Sequence, residues 1–155
     1  MVCEGTEACL DLRFCFLRRE QGGSRLQLLS DYWLINKTGE DLLLADPEDS
    51  RFTFFAPGLP LDMKEASSTD WTKESLLPPL LFSLSSHGKR QEAVLSLRPG
   101  SVWSERFSVN VPGTSGECAL ATSPPRHFSV RVSYAPGVFA RTQVVSVTPL
   151  HMLLN

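Results

Sequence analysis

The sequence predicts an all-β fold: a β-sandwich-like module of about ten short, mostly antiparallel strands. Three observations lead there. The dominant hydrophobic period is two, turn residues interrupt it at short intervals, and no stretch shows a 3.6-residue period. In HFSVRVSY, Phe128, Val130, Val132 and Tyr134 share one face and His127, Ser129, Arg131 and Ser133 the other, the pattern of a half-buried antiparallel strand.

Near the N-terminus, Leu10, Leu12, Phe14 and Phe16 alternate with Asp11, Arg13, Cys15 and Leu17, so one face is expected to meet the core. Further strands are expected at residues 25–29, 32–36, 41–45, 51–55, 80–85, 93–97, 105–109 and 141–148. Turn signals separate them: Gly22-Gly23, Lys37-Thr38-Gly39, Asp46-Pro47, Pro57-Gly58, His87-Gly88, Pro99-Gly100, Pro112-Gly113 and Pro136-Gly137. Residues 58–75 are polar and irregular and read as the longest loop, with a short helical turn near 62–66. Ser123-Pro124-Pro125 reads as another loop, because proline removes a ladder donor.

A chain of 155 residues fits one domain. A domain of that size buries roughly 70% of the surface its unfolded chain exposes, and so needs no covalent staples. The net charge of −2 argues against nucleic-acid binding, which needs a basic patch. Cys3, Cys9, Cys15 and Cys118 include no C-x-x-C pair and match no common zinc spacing, so reduced thiols are expected. MVCEGTEACLDLR lacks a basic n-region and an apolar h-region, so no signal peptide is expected. The longest apolar run, LLPPLLF, falls far short of the roughly 20 residues of a membrane helix. Without secretion, the glycosylation pattern Asn36-Lys37-Thr38 is expected to be idle.

Chemistry-bearing motifs are missing. There is no G-x-S-x-G, H-E-x-x-H, P-loop or G-x-G-x-x-G. His87, His127 and His151 are scattered, and Asp46, Glu48 and Asp49 lack calcium-loop spacing and read as a solvated turn. No catalytic residue, metal site or cofactor is expected.

One internal echo stands out. LLSDYWLIN ends at Asn36 and VTPLHMLLN ends at Asn155, 119 residues later. The expected organisation is a single β-rich module over 1–155, about one repeat, with the start of a second at 144–155.

The segment YWLINKTG resembles the opening of a repeat in the adaptor-binding region of the vacuolar protein sorting thirteen (chorein-type) bridge lipid transfer proteins. PLLFSL, GSVWSERFSVN and VVSVTPLHMLLN are similar to later parts of that repeat, in the same order. The likeness implies β-rich repeats with a near-invariant asparagine, to which Asn36 and Asn155 correspond. It implies docking of adaptor proteins that carry short proline-containing motifs, contact with neighbouring repeats, and a cytoplasmic location. There the chain would be peripheral to endosome, Golgi, mitochondria or contact-site membranes through its partners. Departures exist: Asn110 and VPGTSG stand where an aspartate and a glycine-rich turn are usual, and His151-Met152 replaces Tyr32-Trp33 in the second motif. The family's lipid-carrying groove lies outside these residues.

At a strand end before Lys-Thr-Gly, Asn36 is expected to organise the turn, with Gly39 supplying a positive φ; direct partner contact is the competing role. Tyr32, Trp33, Trp103 and Phe107 are expected in the core. Trp71, in the polar loop, would suit a proline-containing peptide if exposed. The alternative function is a structural spacer repeat with no ligand of its own.

Overall fold

The computed structural model describes residues 10–18, 23–58, 79–85, 91–97 and 102–150. Among these, eleven short strands form three sheets, and the only helical element is a 3-10 turn at Gly137–Phe139. The strands are β1 Leu12–Arg18, β2 Ser24–Ser30, β3 Tyr32–Asn36, β4 Leu42–Ala45, β5 Thr53–Ala56, β6 Leu80–Phe82, β7 Glu92–Leu97, β8 Phe107–Ser108, β9 Ser115–Leu120, β10 Arg126–Tyr134 and β11 Gln143–Pro149.

A five-stranded sheet runs in the order β6-β3-β11-β10-β9, and a four-stranded sheet in the order β5-β4-β7-β8. β1 and β2 make a separate hairpin sheet. Every pairing is antiparallel except β11 with β3, which is parallel from Gln143↔Tyr32 to Val147↔Asn36.

The period-two pattern sends one residue set of each larger sheet into a shared core. Tyr32, Leu34, Phe82, Cys118, Leu120, Phe128, Val130, Val145 and Val147 come from the five-stranded sheet. Leu42, Leu44, Phe54, Ala56, Ala93 and Leu95 come from the other. Tyr32 stacks on Phe82 at 4.9 Å between ring centroids, and Phe54 tilts against Phe82 at 6.1 Å. The Tyr32 hydroxyl donates to Gln91 Oε1, so the buried phenol keeps a partner. Burial, reinforced by the nearby Asp31 carboxylate, pushes this phenol well above its ordinary range. Burial also raises the Cys118 thiol, which is a packing residue with little thiolate character.

Three expectations change. β9 was not anticipated, because SGECAL carries a mid-strand glycine and follows a Pro-Gly turn; only Cys118 and Leu120 of this edge strand are buried. Trp103 is not in the core but 42% exposed. The reason is register: Ser104 turns inward, its N–H donating to the Leu95 carbonyl at 2.8 Å and its hydroxyl accepting from the Leu95 N–H at 3.0 Å, which sends Trp103 outward. Phe107 does pack against the core. Finally, Leu10, Leu12 and Phe14 do not enter the core; they are exposed. The loop at 59–75, the helical turn near 62–66, His87 and His151 lie outside the described residues.

Phe82, fully buried between Tyr32 and Phe54, is the sharpest test of this packing. Phe82→Ala should lower unfolding free energy by about 3–5 kcal/mol in urea titrations.

Candidate functional site

Asn36 ends β3 in the core-facing register and is only 4% exposed. Its side chain is fully engaged. Nδ2 donates toward the carbonyls of Glu40 at 2.8 Å, Ala56 at 2.9 Å and Pro57 at 3.1 Å. Oδ1 accepts from the Thr38 N–H at 3.1 Å and the Thr38 hydroxyl at 2.7 Å. Two amide protons shared among three carbonyls tie the turn after β3 to the exit of β5, twenty residues away in sequence.

Thr38 completes the unit. Its buried hydroxyl also accepts from the Glu40 N–H at 3.1 Å. Gly39 adopts φ 78°, the left-handed conformation the turn requires. Gly58 backs against this turn so closely that a Cβ there would lie 2.4 Å from the Gly39 carbonyl carbon. The Gly58 N–H donates to Asp41 Oδ1 at 3.1 Å, and the Lys37 N–H to the Val147 carbonyl at 2.8 Å. The turn is therefore joined to β5 on one side and β11 on the other. With its amide buried and occupied, Asn36 cannot serve as a glycosylation acceptor in the folded chain.

The other singled-out residues do not converge on this point. Tyr32 is core. Trp33, half-buried on the opposite face of β3, tilts against Phe139 at 5.2 Å. Trp103 is exposed and bridged by its backbone to Ser96. Trp71 and Asn155 lie outside the described residues.

Two features escaped the sequence reading. Asp46, read as part of a solvated turn, is buried: Oδ1 accepts from the Glu48 N–H and Oδ2 from the Ser85 N–H, each at 2.7 Å. An Asx turn was legible in Asp-Pro-Glu, but the reach to Ser85 was not. The second feature is the outer edge of β9, which among the described residues pairs only with β10 and whose residues Ser115, Gly116, Glu117 and Ala119 are exposed. Val132 N–H donates to the Thr114 carbonyl at 3.0 Å, so Thr114 and the even-numbered residues after it face β10. By alternation, the N–H groups of Glu117 and Ala119 point away from the sheet. Among the described residues no group of three or more His, Cys, Asp or Glu side chains could hold a metal ion. No described helix is long and apolar enough to cross a membrane.

The family profile described as "Vacuolar-sorting associated protein 13, adaptor binding domain" matches residues 4–155. The chain is also similar to the protein named "Intermembrane lipid transfer protein vps13E" of Dictyostelium discoideum, with 26% identity over 161 aligned positions. That alignment covers 87% of this chain and 4% of the relative, so the chain spans a small part of the relative's length.

Asn36→Ala strips a buried turn of its donors and acceptor and should cost on the order of 1–3 kcal/mol in chemical denaturation. Asn36→Asp, equal in size, should cost at least as much, because it turns an oxygen toward the Glu40 and Ala56 carbonyls.

Proposed function

This chain belongs to the adaptor-binding domain family of vacuolar-sorting associated protein 13, and on that premise we propose that it docks adaptor proteins through the outer edge of β9. The occupant is an extended, proline-containing segment that adds to the sheet as a further strand. Main-chain bonds supply the affinity, and side chains at alternate positions supply the specificity. The observation that carries this reading is the edge itself. Among the described residues, β9 is six residues long and paired on one side, whereas the other outer strands of the two larger sheets are four, three and two residues long. Natural edges are commonly blunted with lysine, proline or a bulge. Ser115–Leu120 contains no proline or lysine and a single charge, Glu117.

In this reading Asn36 shapes the module without touching the partner, as do Tyr32 and Gly39. Trp33, Trp103, Trp71 and Asn155 carry no assigned contact. The whole unit acts as a non-catalytic targeting element, bringing a lipid-transfer protein to organelle membranes through the adaptor rather than through lipid. A second reading, a repeat that only joins its neighbours, is favoured by the exposed apolar residues of the β1–β2 hairpin.

The two readings separate experimentally. Fluorescently labelled proline-containing peptides should bind the chain, and Ala119→Pro should abolish binding while leaving the melting temperature nearly unchanged, because it deletes an outward donor only. Full binding by Ala119→Pro would remove β9 from consideration. For Asn36→Ala, loss of binding should accompany a lowered melting temperature; lost binding at the wild-type melting temperature would make Asn36 a contact residue.

A further inference from the structure

The β10–β11 hairpin fills a gap. It inserts between β3 and β9, with β11 on β3 and β10 on β9, and without it the five-stranded sheet would be split. The β1–β2 hairpin has the same construction. Each hairpin joins seven residue pairs: Leu12↔Ser30 to Arg18↔Ser24 in one, Phe128↔Pro149 to Tyr134↔Gln143 in the other. The offset of 119 residues that aligns Asn36 with Asn155 carries β2, Ser24–Ser30, end for end onto β11, Gln143–Pro149. Both strands lead into the motif that ends in asparagine.

Pairing the two ladders position by position sets Leu12 on Phe128, Phe14 on Val130, Leu26 on Val145 and Leu28 on Val147. The chemistry matches and the burial is opposite. Phe14 is 67% exposed and Leu28 52%, while Val130 is 4% and Val147 0% exposed. Leu12 and Leu26 are likewise exposed where Phe128 and Val145 are core. On the other face, Leu29 and Gln27 are buried, and Gln27 Nε2 donates to the Val138 carbonyl at 2.9 Å. The Thr142 hydroxyl donates to the Ser30 carbonyl at 2.8 Å. The hairpin is thus fastened to its own module by one face and left open on the other. Among the described residues β1 and β2 pair only with each other, so both outer edges are open too.

We infer that the β1–β2 hairpin is an interlocking element: it fills, in a neighbouring module of the same kind, the gap between that module's β3-type and β9-type strands. Leu12, Phe14, Leu26 and Leu28 then complete the neighbour's core as Phe128, Val130, Val145 and Val147 complete this one. Each module's sandwich is finished by the hairpin that begins the next, and successive modules are linked by shared sheet rather than by a tether. Interlocking rests on the family membership and the internal repeat, not on adaptor docking at β9, so either can fail without the other.

A tandem chain tests it: residues 1–125 followed directly by residues 10–155, which puts Leu10 in the place of Arg126 and makes the second copy's β1–β2 the only hairpin available to the first copy. The tandem should fold with both copies resistant to protease. Phe14→Lys with Leu28→Lys in the second copy should lower its melting temperature by on the order of 10 °C. The same pair in the single chain should shift it by no more than about 2 °C, because these side chains contribute little to that core. A protease-labile first copy, a tandem indifferent to the pair, or an equal loss in the single chain would each overturn the proposal.

Discussion

Along Tyr32–Asn36, β3 takes β11 as a parallel neighbour, and both halves of the fold are fixed by that contact. Parallel strands cannot be joined by a tight turn; they need a long connection. Here the connection holds the whole four-stranded sheet together with β6, β9 and β10. Gln143 N–H donates to the Asp31 carbonyl and Lys37 N–H to the Val147 carbonyl, so the pairing extends past both ends of β3. Val145 and Val147, carried in by this strand, meet Tyr32, Leu34 and Phe82 in the core.

The Asn36 unit stands where that pairing ends. One planar amide satisfies carbonyls from the turn and from β5 while its oxygen holds Thr38. A hydroxyl side chain at 36 has too few groups for this set, and a carboxylate has the wrong sign toward the carbonyls. The need for asparagine is therefore geometric: its amide ties β3 of one sheet to the exit of β5 in the other. The β9 edge lies at the far end of the same sheet, with β11 and β10 between it and β3. Stiffening the β3–β11 seam is the physical route by which Asn36 would support the docking proposed at that edge.

An interlocked array would differ mechanically from domains on flexible linkers. Removing one hairpin would expose the core of the module before it, so stability would couple between neighbours as in other repeat proteins. The exposed leucines and Phe14 then have a specific purpose. In such an array they would be a face held for a partner, and in isolation a liability for association.

Residue order alone determined the all-β class, nearly every strand, and the marker asparagine. Period-two alternation and Gly/Pro punctuation are local signals, and β3 at Tyr32–Asn36 was legible to the residue. So was the echo ending at Asn155, because it is a property of order. Tertiary structure decided what alternation cannot. The apolar face of Leu12 and Phe14 was visible, but not whether it is buried: β1 and β10 alternate alike, yet Leu12 and Phe14 are exposed where Phe128 and Val130 are core. Trp103 lies outward, not in the core, because two bonds between Ser104 and Leu95 of the preceding strand β7 turn Ser104 inward and set the register. β9 was hidden because an edge strand needs only two buried side chains, Cys118 and Leu120, too few to make a pattern. Alternation marks the two faces of a strand, and which face is buried depends on how other elements pair with it and pack on it.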